Sequence, residues 1–178
     1  TNKDTILTLL DTERQNILMM TSEKSGSLNN MVPVFQLLVR DTAATKFDIH
    51  LFGYPQYQVY TNNHLASFYE IDTYFYSSFY TNNLLPEAID IQAQYAKWYN
   101  RSMQNRYPRY GMLGYDTGYY FLKAISRYRG NLAENINRVE FTPTQSGYHF
   151  TRKNNRGSYI NTKAYYIRYS PDYKVTKI

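Results

Sequence analysis

The sequence predicts an α/β fold in which a mainly parallel β-sheet carries helices on its faces. Three short apolar runs, 16–20, 49–52 and 74–77, are each followed by a stretch with helical periodicity. This alternation is typical of parallel strands that are joined by helical crossovers. In open parallel sheets, ligands bind at the loops beyond the carboxyl ends of the strands. The order of the elements therefore indicates where a binding site should lie.

The apolar spacing then predicts the helices around these strands. A first helix is expected over 3–13, and a second over 28–39, where apolar side chains recur at helical spacing. Pro33 lies near the first turn of the second helix, where proline is tolerated. A short helix over 62–69 connects the second and third strands.

Two longer helices and a segment of different character follow. Pro86 opens a helix at the position that proline favours, and we expect Trp98 to lie on its buried face. Asp116 or Thr117 would cap the next helix by accepting backbone N–H bonds, and this helix should end near Gly130. We expect its buried residues to be Tyr119, Leu122 and Ile125.

The composition is that of a globular domain. Of the 178 residues, 43% are hydrophobic and 19% are charged, which allows one domain with a real core. We assign 1–147 to an α/β lobe and 148–178 to a basic C-terminal β-segment packed on the same domain, because strand-like alternation follows Pro143. The chain starts at Thr1 in a helical pattern, so we expect a fragment of a longer chain. No apolar run approaches the ~20 residues that span a bilayer, and no transmembrane segment is expected.

The net charge of +6 lies entirely in the C-terminal segment. Residues 1–147 contain 13 basic and 13 acidic residues, whereas 148–178 contain 7 basic residues and one acidic residue. A basic segment with interleaved tyrosines suits nucleic acid or an anionic envelope polymer. The alternative is a strand edge that Lys and Arg protect against aggregation. We favour the edge interpretation and expect no nucleic-acid partner.

The motif search gives no support for an enzyme. The chain has no cysteine, which excludes thiol catalysis and cysteine-based zinc sites. His50, His64 and His149 have no metal-binding spacing, and His50 is expected to be a structural residue within a strand. There is no GxSxG, Walker or GxGxxG motif. We therefore expect neither catalysis, nor a metal, nor a cofactor.

Several local phrases support a resemblance to a known family. They are the segments 52–57 (FGYPQY), 74–86 (YFYSSFYTNNLLP) and 110–118 (YGMLGYDTG). In this order they resemble the C-terminal lobe of type I periplasmic solute-binding proteins, the leucine/isoleucine/valine-binding-like group. Within that group, the likeness is to a Bacteroidetes branch of envelope proteins with LysM peptidoglycan-binding modules. The resemblance covers roughly 16–147 and implies a Rossmann-like, three-layer lobe.

The resemblance also implies a site. Two such lobes close around a hinge and trap ligand between them, so this chain would supply half of the site. The transporters' amino-acid receptors carry an acidic residue in the loop after the second strand, and this chain has Pro55, Gln56 and Tyr57 there. Aromatic and amide side chains suit sugars, peptides or wall fragments through stacking and neutral hydrogen bonds. The ligand-binding residues implied are Ser22, Glu23, Tyr54, Gln56, Tyr57, Tyr80, Tyr115 and Asp116.

We expect a non-catalytic ligand-binding or sensing lobe of a periplasmic, cell-envelope protein. Its partner would be a small molecule (an amino acid, peptide, sugar or wall fragment), with peptidoglycan and a second copy of the chain as further partners. One alternative is a scaffold that keeps the fold and uses its aromatic surface for protein or cell-wall contacts. A weaker alternative is a nucleic-acid binder that uses the basic, tyrosine-rich segment.

Overall fold

The computed structural model describes residues 3–41, 47–83, 85–104, 106–154 and 156–177. These residues divide into two compact units. Unit 1 is drawn from Thr1–Ser77 and Tyr166–Ile178, and unit 2 from Ser78–Tyr165. Unit 1 is therefore discontinuous in sequence. These two units have other boundaries than the α/β lobe (1–147) and the C-terminal β-segment (148–178), and that division of the domain stays a prediction.

Unit 1 contains a five-stranded sheet in the order β1-β2-β3-β6-β7. Strands β1, β2 and β3 are mutually parallel, and β6 and β7 form an antiparallel hairpin at the far side. The predicted α/β class, with a largely parallel sheet followed by a C-terminal hairpin, is thereby confirmed. The strands and helices of this unit are α1 (Lys3–Leu7), β1 (Gln15–Met19), α2 (Ser25–Arg40), β2 (Asp48–Gly53), α3 (Tyr57–Glu70), β3 (Thr73–Ser77), β6 (Tyr165–Ser170) and β7 (Lys174–Lys177).

The core of unit 1 lies between one face of this sheet and the crossover helices. Phe75 of β3 stacks on Tyr169 of β6 with ring centroids 5.8 Å apart, and Phe68 of α3 packs against Tyr169 at 6.0 Å. Leu51 of β2 is completely buried. Side chains along a β-strand alternate between the two faces of the sheet. The positions on either side of Leu51 therefore lie on the face away from this core, as do Ile17 and Met19 of β1, which are more than half exposed.

Unit 2 is mainly helical. Its core joins the long helix α5 to the C-terminal part of the unit through rings, with Tyr120 4.6 Å from Tyr148 and Tyr148 stacked on Phe150 at 5.9 Å. Short 3-10 turns lie at Arg129–Asn131 and Ile136–Arg138. The elements are α4 (Pro86–Tyr99), α5 (Tyr110–Tyr128), α6 (Leu132–Asn135) and the paired strands β4 (Phe150–Thr151) and β5 (Ile160–Asn161).

Three sequence predictions about these helices are wrong. Helix α5 begins at Tyr110, so Asp116 lies inside the helix and does not cap it. Its buried residues are Met112, Asp116, Tyr120 and Ala124, while the predicted buried residues are exposed by about half or more: Tyr119, Leu122 and Ile125. On α4, Trp98 is 71% exposed rather than buried. The hydrophobic pattern of α5 misleads because its buried face includes a carboxylate.

Candidate ligand-binding site

The carboxyl ends of β1 and β2 carry two predicted binding loops, and unit 1 brings them together. Met19 pairs with Phe52 in the parallel register, so the loops that follow these residues start side by side. The Tyr54 hydroxyl donates a hydrogen bond to the Met20 carbonyl at 2.7 Å. The Tyr60 hydroxyl donates to the Glu23 carbonyl at 3.3 Å. Two tyrosines after β2 therefore hold the loop after β1.

Four of the predicted residues form what we call the carboxyl-edge cluster: Ser22, Glu23, Tyr54 and Gln56. Glu23 and Gln56 are exposed, and Ser22 and Tyr54 are half-buried. The Ser22 hydroxyl accepts a hydrogen bond from the Lys24 backbone N–H at 3.3 Å. The cluster offers a carboxylate, an amide, a hydroxyl and a phenol, which are groups that recognise polar ligands by hydrogen bonding.

Tyr57, predicted to contact ligand, is instead a core residue of unit 1. It is completely buried, and its ring is stacked on Phe68 with centroids 5.4 Å apart and planes at 3°. A side chain at Gly53 would lie 2.3 Å from this ring, so the close approach requires glycine at position 53. Burial raises the pKa of the Tyr57 phenol. Tyr57 thus supports the start of α3 and does not face solvent.

A cavity of about 680 Å³ adjoins the cluster in unit 1. It is lined by residues of α1, β1 and α2, and Ser22 and Thr21 extend the lining into the loop after β1. Its volume is within the range of small-molecule sites. The remaining lining is largely apolar and includes Ile6, Met31 and Phe35. The arrangement suits a ligand that has both a polar end and an apolar body.

The other three predicted residues belong to unit 2 and form no single site with one another there. Tyr80 is half-buried, and its backbone N–H donates to the Gln145 carbonyl at 2.9 Å. Tyr115 is 47% exposed and stacks on Tyr119 with centroids 6.0 Å apart. Asp116, the next residue of α5, lies on a different face of the helix and is completely buried.

The Asp116 carboxylate accepts hydrogen bonds from residues 144–146 and does not cap a helix. One carboxylate oxygen accepts hydrogen bonds from the backbone N–H and the hydroxyl of Thr144, at 3.0 and 2.9 Å. The other oxygen accepts from the backbone N–H groups of Gln145 and Ser146, both at 2.8 Å. Gln145 in turn accepts from the Arg109 backbone N–H at 2.8 Å. Asp116 therefore anchors residues 144–146 to α5.

A second cavity, of about 440 Å³, lies in unit 2 and is lined by Tyr115. Sequence reasoning missed its other polar and aromatic residues: Glu87, Asp90, Tyr119, Lys123, Glu140, Phe141, Thr142 and Thr144. One signal for it was present, because the i,i+4 spacing of Tyr115 and Tyr119 puts two tyrosines on one helix face. Glu87 and Asp90, three residues apart on α4, also share a face.

The histidine closest to charged groups has a structural role, as the sequence indicates. The two ring nitrogens of His50 lie 2.8 Å from carboxylate oxygens of Asp48 and Asp72. Asp72 also receives two hydrogen bonds from Arg168, at 2.8 and 2.9 Å. This network joins β2, β3 and β6. Within the described residues, no group of three His, Asp or Glu side chains is arranged to hold a metal ion.

The part of the chain that the structure describes contains no helix with the length and apolarity to cross a membrane. Comparison of the sequence with known protein families finds no family model that matches, and comparison with curated proteins finds no match either. Function is therefore inferred from the geometry of the two units and from the resemblance described above.

Proposed function

We propose that this chain is a non-catalytic ligand-binding lobe of a solute-binding-like protein of the periplasm or cell envelope. The observation that carries the proposal is the carboxyl-edge cluster. It lies at the loops after two neighbouring parallel strands, where ligands of open α/β sheets bind. The adjoining cavity of about 680 Å³ has room for a small molecule. A link to peptidoglycan through LysM modules outside this chain belongs to the same proposal.

The chemistry of the cluster favours recognition over catalysis. Glu23 and Gln56 are exposed, and Tyr54 and Tyr60 hold the backbone of the loop that carries Glu23. An ordered loop with exposed hydrogen-bonding groups binds a polar ligand at a low entropic cost. Ser22 has no histidine among the cluster residues to act as its base. A peptide, sugar or wall fragment with several hydrogen-bonding groups is the ligand class that fits best.

A thermal-shift screen with amino acids, dipeptides, sugars and muropeptides tests this proposal. We expect a saturable rise in melting temperature with one class, because a ligand that binds only the folded state stabilises it. Gln56→Ala should abolish most of the rise, whereas Gln104→Ala, an exposed glutamine in unit 2, should leave it unchanged. No rise with any class, from a protein with a normal melting transition, would count against the proposal.

One observation favours the alternative function, a scaffold that makes protein or cell-wall contacts. Unit 2 exposes several large apolar side chains on its two long helices, among them Trp98, Leu122 and Ile125. Contiguous exposed apolar surface is typical of interaction sites. Co-sedimentation with isolated peptidoglycan distinguishes the two. Sedimentation that Trp98→Ala abolishes and Gln56→Ala does not would support the scaffold.

A further inference from the structure

We propose that the cavity of unit 2 binds an organic cation, namely a ligand with a primary amine or guanidinium group. This cavity, called the α4–α5 cavity below, has a volume of about 440 Å³ and lies between α4, α5 and residues 140–144. The proposal does not depend on the function proposed for unit 1. It depends on the aromatic wall of the cavity, its charge and the way its wall is held.

The aromatic wall comes from α5 and from the segment after α6. Tyr115 and Tyr119 are 47% and 48% exposed, and their rings stack with planes at 21°. Phe141 extends the wall, with its ring centroid 5.8 Å from that of Tyr119. Half-exposed ring faces attract cations through the negative face of the π-system. The wall therefore supplies a surface suited to an ammonium or guanidinium group.

The charge of the cavity is opposite to that of the whole chain. Three acidic residues line it, Glu87, Asp90 and Glu140, against a single basic residue, Lys123, which leaves two negative charges. The whole chain has a net charge of +6. The Asp90 carboxylate accepts a hydrogen bond from the neutral amide of Gln94 at 2.6 Å, which does not neutralise its charge. A negative cavity on a basic protein selects cationic ligands over anionic ones.

Lys123 already illustrates this chemistry. Its ammonium group lies 5.9 Å from the centroid of the Tyr119 ring and donates a hydrogen bond to the Glu140 carbonyl at 2.7 Å. An ammonium group therefore lies against Tyr119, the middle ring of the aromatic wall. The Tyr115 ring and the carboxylates of α4 are left for a second cation, and Lys123 accounts for only one of the three negative charges.

The cavity wall is fixed in the free protein. Thr144, which lines the cavity, is held by two hydrogen bonds to Asp116, and the next two residues are held by two more. Tyr115 precedes Asp116 on the same helix, so the carboxylate that anchors the wall also fixes the spacing between the wall and the Tyr115 ring. A preformed site loses less entropy on binding than a flexible one.

The arrangement suits a molecule rather than a metal ion. The acidic residues of the cavity are not among any group of three that could hold a metal in the described part of the chain. Carboxylates that are spread around a cavity of about 440 Å³ can each contact a different part of a larger cation. An extended amine, with a positive group at each end and an apolar middle, matches acidic residues around aromatic rings.

The test uses cadaverine and its neutral analogue 1,5-pentanediol in two-dimensional amide NMR titrations of the 178-residue chain. We expect cadaverine to bind about tenfold more tightly than pentanediol, with the largest shifts at the amides of Tyr119 and Lys123, which line the cavity. Glu87→Gln combined with Asp90→Asn should weaken cadaverine binding about tenfold. Tyr115→Leu should weaken it about fivefold.

Glu134→Gln is the matched control, because Glu134 is an exposed acidic residue of unit 2 outside the cavity. It should leave cadaverine binding unchanged. Equal binding of cadaverine and pentanediol, or no binding of either, would overturn the proposal. So would equal weakening by Glu134→Gln and by the cavity variants, since that result indicates unspecific attraction. The unit 1 proposal is tested separately, by the effect of Gln56→Ala on the thermal shift. Failure of the cadaverine test therefore leaves that proposal intact.

Discussion

At the scale of single residues, Asp116 shows how a carboxylate can be part of a protein core. Four hydrogen bonds from residues 144–146 satisfy its two oxygens, and charged acceptors make stronger hydrogen bonds than neutral ones. A buried polar group is costly unless it is satisfied in this way. Sequence reasoning could not find its partners, because they lie 28 to 30 residues further along the chain.

We predict that Asp116→Asn lowers the free energy of unfolding by about 3 kcal/mol. The amide has one acceptor oxygen, and its NH₂ group would face backbone N–H groups that need acceptors. Urea denaturation measures the loss. Glu134→Gln, an exposed change from carboxylate to amide in the same unit, should leave the unfolding midpoint unchanged. An Asp116→Asn variant as stable as the original chain would show that residues 144–146 do not depend on the charge.

Tyr165 leads to a prediction about alkaline pH. Burial raises its pKa to about 12, whereas an unfolded tyrosine titrates near 10. The stabilisation from the neutral phenol is complete below pH 10 and is lost as the pH rises towards 12, because the unfolded chain releases its proton first. The unfolding free energy of the original chain should therefore fall above pH 10. In Tyr165→Phe this fall should be smaller, by up to about 1.4 kcal/mol per pH unit.

Urea denaturation of the original chain and of Tyr165→Phe, from pH 8 to pH 11.5, measures this effect. The unfolding free energy of the original chain minus that of Tyr165→Phe should be constant up to about pH 9.5 and should fall above it. A difference that stays constant to pH 11.5 would show that the Tyr165 phenol titrates alike in the folded and unfolded chain.

At the scale of elements, the long helices of unit 2 bury different faces from those that their apolar residues suggest. The buried residues of α5 recur every four positions from Met112 to Ala124 and include Asp116. A hydrophobicity pattern assigns this stripe to the surface because of its carboxylate, and assigns Leu122 and Ile125 to the core. The tyrosine-rich composition adds to the ambiguity, since tyrosine suits both half-buried and exposed positions.

Trp98 and Met112 provide the corresponding experiment. Trp98 is 71% exposed, so we expect Trp98→Ala to change the unfolding free energy by no more than about 0.5 kcal/mol. Met112 of α5 is completely buried, so Met112→Ala should cost about 2–5 kcal/mol. Thermal and urea unfolding of the two variants measure the difference. A large loss in Trp98→Ala would show that its ring is covered in solution.

One edge of the sheet, formed by β7, is basic. Strand β7 is exposed and carries Lys174 and Lys177, which matches the expectation that the basic segment protects a strand edge. Other basic residues of this segment have local partners as well: Arg168 pairs with Asp72, and Arg152 lies over the Tyr159 ring at 5.1 Å. These contacts use several of the charges that a nucleic-acid surface would need.

At the scale of the whole molecule, the sequence predicts the α/β class and the order of β1, α2, β2, α3 and β3, because hydrophobic periodicity and strand length are local properties. The same topology correctly predicts that the loops after β1 and β2 meet. Long-range packing could not be predicted. The α4–α5 cavity, for example, depends on residues more than 50 positions apart.

The discontinuity of unit 1 has a consequence for how the protein is made. Asp72 lies 96 residues before Arg168, its partner on β6. At roughly 5–20 residues per second, a ribosome needs roughly 5 to 20 s to cover that interval. During this time β3 lacks its neighbour β6, while all of Ser78–Tyr165 is being synthesised. Small domains fold within this interval, so the three parallel strands have time to pair with one another before β6 and β7 are made.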